Sequence, residues 1–270
     1  MPPAAKPRPR REVVMLVVQP LANATVALLA RTRVEPWHVV AVHTVIGFVA
    51  AALVATWQPT AWIVAAVLLQ VKTVLDNADG GLARATQRIS EFGRYFDTVC
   101  DLLVNIALFA ALARHGQVSG AVVAFVIVTL VLTADFNAER RYKLARGSLA
   151  PSVAPPGAWP WALALVRGAY RLILAPQDRA YAALDAWLFR AAAGKPSSAA
   201  SAAELQRWDD LFSTGALVNL GLSSQYLLLG VALALGMPYA YVMIAWAQLP
   251  YLLLVQAVRV LRYRSTAVPA

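Results

Sequence analysis

Four aspartates, Asp76, Asp79, Asp97 and Asp101, stand as two close pairs in a chain that has only 14 acids in 270 residues. Asp76 and Asp79 are i, i+3 and Asp97 and Asp101 are i, i+4. Each pair therefore shares one helical face, with Cβ atoms about 5–6 Å apart. Two such helices running antiparallel can aim all four carboxylates at one point. Carboxylates gathered near a membrane core are costly unless a compensating charge joins them. An all-oxygen donor set favours a hard cation, Mg2+ or Mn2+ before zinc, and no His–Cys cluster competes for that task. Between the pairs lie Gly80, Gly81, Ala83, Arg84 and Gly93. Small residues let a ligand approach the backbone, and the planar fork of Arg84 suits phosphate. Together these features describe a metal–diphosphate site.

The elements that must hold these residues are apolar. The chain is 60% hydrophobic and 14% charged, with a mean hydropathy of +0.59, where a soluble domain carries roughly 25% charged residues. Apolar runs cover 38–57, 59–75, 102–113, 118–134, 211–235 and 238–258. Lipid offers the backbone no hydrogen-bond partner, so such runs cross it as helices of about 20 residues. Six spans fit, the third starting in a polar stretch near Phe92. The expected fold is all-α, a polytopic membrane protein of six transmembrane helices preceded by an N-terminal interfacial amphipathic helix.

The net charge is +10, and its placement argues for topology rather than for nucleic acid. With Lys6, Arg8, Arg10 and Arg11 in the cytoplasm, the outer connections fall near 57–59, 114–119 and 236–238. Of 24 Lys and Arg residues, Arg114 alone falls there. That is the positive-inside bias, with attraction to anionic headgroups added. The expected location is the cytoplasmic (inner) membrane, with the aspartates facing the cytoplasm. No nucleic-acid partner is expected.

Along the chain, 1–35 reads as a basic tail and an interfacial helix, interrupted by Gln19, Pro20, Asn23 and Thr25 and closed by Arg31 and Arg33. Residues 36–140 hold the first four spans and the aspartate site. Residues 141–210 form a cytoplasmic or membrane-surface insertion. It opens on Pro151, Pro155, Pro156, Gly157 and Pro160, continues as an amphipathic helix over about 160–192 with Arg167, Arg171, Arg179 and Arg190, and ends in a Ser/Ala-rich hinge over 195–203. Residues 211–270 supply two more spans and a basic tail. The opening shows no cleavable signal-peptide pattern, and Cys100, the one cysteine, reads as packing.

Other polar residues leave two readings each. Lys72, four residues before Asp76, is a charge partner or a substrate contact. Arg140 and Arg141, beyond Asp135 at the end of the fourth span, are interfacial anchors or hold an acceptor phosphate or headgroup. His38 and His43 read as packing or interfacial residues. Asn219, Gln225, Gln248 and Gln256 join helices or line an acceptor pocket. Gly47 and Ala51 have the spacing of a helix-packing pair.

The array Asp76-x2-Asp79-Gly80-x2-Ala83-Arg84-x8-Gly93-x3-Asp97-x3-Asp101 resembles the complete signature of the CDP-alcohol phosphotransferases, with every specified position present. The resemblance implies that Asp76, Asp79, Asp97 and Asp101 hold two Mg2+ or Mn2+ ions. It further implies that Asp101 is the general base on the acceptor hydroxyl, that Gly80 and Ala83 pack against the cytidine nucleotide, and that Arg84 holds its diphosphate. The implied partners are a CDP-linked donor, an acceptor alcohol, membrane lipid and a second copy in a homodimer, with CMP as leaving group. Family members often carry Pro-Asn-x-x-Thr at the first span; here Trp37 and Val40 replace the Asn and Thr, so nucleotide contacts from that helix are not carried over. Phospholipid biosynthesis is the expected use, and a soluble polyol or sugar phosphate acceptor is the alternative within the same chemistry. A transporter would show acids in two repeated halves near the midplane. Here they cluster once, at one edge.

Overall fold

Proline opens three of the helices. It sits at the first helical position of α2 (Pro36–Val54), α3 (Pro59–Ala85) and α6 (Pro160–Ala193), where no intrahelical N–H is needed and the fixed φ already suits the helix. The computed structural model describes residues 13–147 and 159–266. The basic tail with Lys6, Arg8, Arg10 and Arg11, and the stretch carrying Pro151, Pro155, Pro156 and Gly157, lie outside the described residues. The other helices are α1 (Met15–Leu29), α4 (Glu91–Leu112), α5 (Val118–Ala145), α7 (Ala202–Trp208), α8 (Leu211–Val218), α9 (Leu222–Ala234) and α10 (Ala240–Ser265). No strand occurs among the described residues.

Five helices, α2, α3, α4 with the 3-10 turn that follows it, α5 and α10, are long and apolar enough to cross a membrane. Helices α8 and α9 meet the same length and composition only together, as a pair bent by 45° at their junction. The sequence reads 211–235 as one continuous run; the structure breaks it at 219–221. The break frees backbone carbonyls, and Gln225 Nε2 donates to Leu220 O at 2.9 Å. Broken helices survive at membrane depth only where such groups find a partner. Helix α1 has 15 residues, about 22 Å at 1.5 Å per residue, which is short of the ~30 Å hydrocarbon core. Its buried face is Met15, Val18, Ala22 and Val26, of which Ala22 and Val26 pack with Ala78 of α3.

Helix α3 also departs from expectation. The apolar run ends at 75, yet the helix continues through the polar motif to Ala85. A short turn follows, with Gln87 at φ +56°. Ser90 then caps α4, its Oγ accepting from Gly93 N at 2.9 Å. A Cβ at Gly93 would lie 3.0 Å from that Oγ, so glycine keeps the cap tight.

One apolar core joins α2, α3, α4, α5, α9 and α10 through Val54, Leu69, Val104, Leu112, Ala124, Leu233 and Ala245. Gly47 serves this core. A Cβ there would stand 2.7 Å from Val104 Cγ1, so the Gly47–Ala51 pair seats α4 within the chain. Outward residues such as Val45, Phe48, Val122 and Leu130 remain exposed, as lipid-facing positions do. Helix α6 spans much of the expected insertion. It is tied to α4 by Arg167 Nη2–Glu91 Oε2 at 2.8 Å, and Tyr170 lies 5.0 Å from Tyr95.

Gly47→Val is expected to overpack the α2–α4 seam and destabilise the protein by about 1–3 kcal/mol. Thermal unfolding in detergent checks this, with Val104→Ala in the same chain restoring most of the loss.

Candidate active site

The aspartates converge because two helices present them from opposite directions. Helix α3 supplies Asp76 and Asp79 near its C-terminal end, and α4 supplies Asp97 and Asp101 in its first three turns. Helix α2, packed against both, adds a residue that the sequence reading left to packing or the interface: His43, with a side chain 0% exposed. Its Nε2 lies 3.2 Å from Asp79 Oδ2, 3.6 Å from Asp97 Oδ1 and 3.9 Å from Asp76 Oδ1. Lys72, one turn before Asp76 on α3, is equally buried; its Nζ lies 2.6 Å from Asp101 Oδ1 and 3.6 Å from Asp76 Oδ1. Two groups that can carry positive charge thus stand among four carboxylates.

The lysine is held from behind. Lys72 Nζ sits 5.0 Å from the ring centroid of Tyr226, a cation–π arrangement, and Tyr226 OH donates to Asn105 Oδ1 at 3.2 Å. Helix α9 is anchored to α3 by Gln70 Nε2 donating to Tyr226 O at 3.1 Å. Two carboxylate oxygens, Asp76 Oδ1 and Asp97 Oδ1, are buried without a hydrogen-bond partner. Buried oxygens of this kind are rare unless something else is meant to satisfy them. In groups His43–Asp79–Asp97 and His43–Asp76–Asp101, one donor atom per residue lies within 4.8 Å of the others. The donor set therefore fits divalent cations.

The small residues line up one turn further along α3. Gly80 faces Arg84, whose Nη1 would be 3.3 Å from a Cβ at that position, and Ala83 and Arg84 are half-buried. Gly81 points the other way, toward α1, where a Cβ would meet Val26 Cγ2 at 2.9 Å. One glycine thus lets the Arg84 side chain lie close to the helix while the next lets α1 close on it.

The three remaining basic candidates separate. Lys72 lies inside the cluster. Arg140 is exposed near the end of α5. Arg141 turns to a second ionic group instead, with Nη1 2.5 Å from Asp185 Oδ2 and Nε 3.4 Å from Asp209 Oδ1. Arg259, 3% exposed, completes that group through Asp185 at 2.6 Å and Asp209 at 2.5 Å. This network pins α5, α6, α10 and the α7–α8 junction together. The glutamines are likewise internal: Gln225 and Gln248 exchange bonds of 2.9 and 3.0 Å, and Tyr241 OH donates to Gln225 at 2.9 Å. Gln256 Nε2 donates to Tyr181 OH at 3.0 Å, and Asn219 Oδ1 accepts from Val13 N at 3.1 Å. His38 Nδ1 accepts from Glu35 N at 3.0 Å and closes the N-terminus of α2. Cys100 is buried and unpaired to any other cysteine.

His43 was missed because spacing along α3 and α4 says nothing about α2. One signal was available: an ionisable residue inside an apolar span is a functional candidate by default.

Residues 37–193 match the family model described as CDP-alcohol phosphatidyltransferase, so more than half of the chain is covered. The chain belongs to the CDP-alcohol phosphatidyltransferase family. A stretch of 64 residues is 42% identical to the bifunctional IPC transferase and DIPP synthase of Aquifex aeolicus (strain VF5), covering 24% of this chain and 14% of that protein. A stretch of 95 residues is 30% identical to the archaetidylinositol phosphate synthase of Pyrococcus horikoshii, covering 35% of this chain and 50% of that protein. The chain thus matches no more than half the length of these two curated relatives.

Lys72→Met is expected to strand Asp101 and Asp76 without their buried counter-ion. Removing one partner of a buried pair costs about 3–5 kcal/mol. Unfolding in EDTA should show that loss, and saturating Mg2+ should recover much of it.

Proposed function

We propose that this chain transfers a phosphoalcohol group, in phospholipid biosynthesis a phosphatidyl group, from a CDP-linked donor to an acceptor alcohol and releases CMP. The observation that carries this reading is the convergence of four aspartates from α3 and α4 beside Arg84 and Gly80, in a chain of this family. Asp76, Asp79, Asp97 and Asp101 would hold two ions, Mg2+ or Mn2+, as the buried unpartnered oxygens of Asp76 and Asp97 suggest. Bound there, the ions would act as Lewis acids on the diphosphate and offset charge on departing CMP.

The chain's own residues divide the remaining work. Arg84 binds the diphosphate through its planar fork. Gly80 and Ala83 leave room for the cytidine nucleotide against α3. Asp101 accepts the proton of the acceptor hydroxyl, whose oxygen attacks in line at the phosphorus bearing the donor alcohol. Lys72, 2.6 Å from Asp101 Oδ1, orients that carboxylate, so its part is positioning and not acceptor binding. Arg141 is committed to Asp185 and Asp209, which leaves exposed Arg140 as the basic residue of α5 available to an acceptor phosphate or headgroup.

The site belongs at the cytoplasmic face of the inner membrane, by the distribution of basic residues. Helix α6 leaves Trp161, Leu165, Leu172 and Trp187 exposed among its arginines, a composition suited to lying at the lipid interface. A homodimer is part of this reading through the family resemblance. A soluble polyol or sugar phosphate is the second acceptor class; the match to a protein named archaetidylinositol phosphate synthase favours it.

Purified protein in lipid, supplied with Mg2+, a CDP-linked donor and a panel of lipid and polar alcohols, is expected to release CMP with one acceptor class only. Asp101→Asn should lower that rate by about 10²–10⁴-fold, the usual contribution of a general base. A folded protein that binds neither divalent metal nor CDP-donor sinks the proposal.

A further inference from the structure

The aspartates alone would make an all-oxygen site. The structure adds a nitrogen. His43 is fully enclosed, with its Nε2 directed at Asp79, Asp97 and Asp76 at 3.2, 3.6 and 3.9 Å. Two ligands that each sit about 2.1 Å from one ion stand about 3.0 Å apart at right angles and about 3.4 Å apart in a tetrahedron. The separations from His43 to Asp79 and Asp97 fall at that scale. Lys72 meanwhile serves the other two carboxylates, Asp76 and Asp101. The cluster thus has two halves, one built around an ammonium and the other around an imidazole.

We infer that His43 is a ligand: its Nε2, with Asp79 and Asp97, coordinates one of the two divalent ions, so that this chain prefers a transition-metal dication such as Mn2+ or Co2+ over Mg2+. This rests on the metal-dependent reading above and adds a residue to it. Imidazole nitrogen binds first-row transition metals in preference to Mg2+, whereas carboxylate alone discriminates little. Only α2 can deliver that nitrogen, because the two motif helices carry no histidine. The chain's other histidines are engaged elsewhere, His38 with Glu35 N and His115 beside Val54 O.

The test uses full-length protein in lipid nanodiscs loaded with Mn2+ and examined by pulsed EPR. Directly coordinated imidazole gives nitrogen modulation at the manganese, and growth with 15N-histidine should change that pattern from 14N to 15N. This arm needs no mutant, so a folding defect at a buried position cannot obscure it. In His43→Gln the modulation should vanish and the preference for Co2+ over Mg2+ in competition binding should fall by about tenfold or more. Manganese bound without nitrogen modulation, or with modulation indifferent to histidine labelling, overturns the inference while leaving the aspartate site intact. Protein that binds no Mn2+ also overturns it. CMP release with Mg2+ in the same preparation then tells whether the transferase reading falls with it.

Discussion

Four carboxylates crowded at the ends of membrane-crossing helices repel one another, and much of this structure answers that repulsion. Two like charges about 4 Å apart cost about 4 kcal/mol at the effective dielectric of a protein edge. The chain places Lys72 and His43 among the aspartates, both with fully buried side chains, and backs the lysine with the face of Tyr226. Neither group is at the surface, so salt does little to screen them. A fold that keeps these charges inside has to fix three helices against one another, and the α2–α3–α4 core does so.

Small residues make that fixing possible. Gly47 brings α2 onto Val104 of α4, Gly81 brings α1 onto α3, and Gly93 lets Ser90 cap α4. Each allows a closer approach than alanine would, and each acts within a turn or two of a charged residue in the site. Gly80 differs, since its neighbour is the Arg84 side chain and not a packed helix. The glycines therefore divide into three that bring helices or caps together and one that lies under the Arg84 side chain.

A second ionic group, Arg141, Arg259, Asp185 and Asp209, does similar work at the same end of the bundle. Its two positive and two negative charges balance. It binds the long helix α6 and the α7–α8 junction to α5 and α10. Truncating one member would leave an unpaired charge, the costly case for buried pairs.

The sequence by itself determined the chemistry of the motif and the elements that carry it. Aspartate spacing fixed a shared helical face, apolar runs fixed the spans, and the signature from Asp76 to Asp101 fixed the family. These features repeat with the helical period, so they are legible from one chain. Tertiary structure alone decided what meets across helices. It put His43 into the aspartate cluster, took Arg141 away to Asp185 and Asp209, turned Gln225 and Gln248 into an internal clamp, and bent the apolar run 211–235 at 219–221. Such contacts depend on the register and crossing angle of separate helices. Those are set by how side chains interlock, and local periodicity carries no record of them.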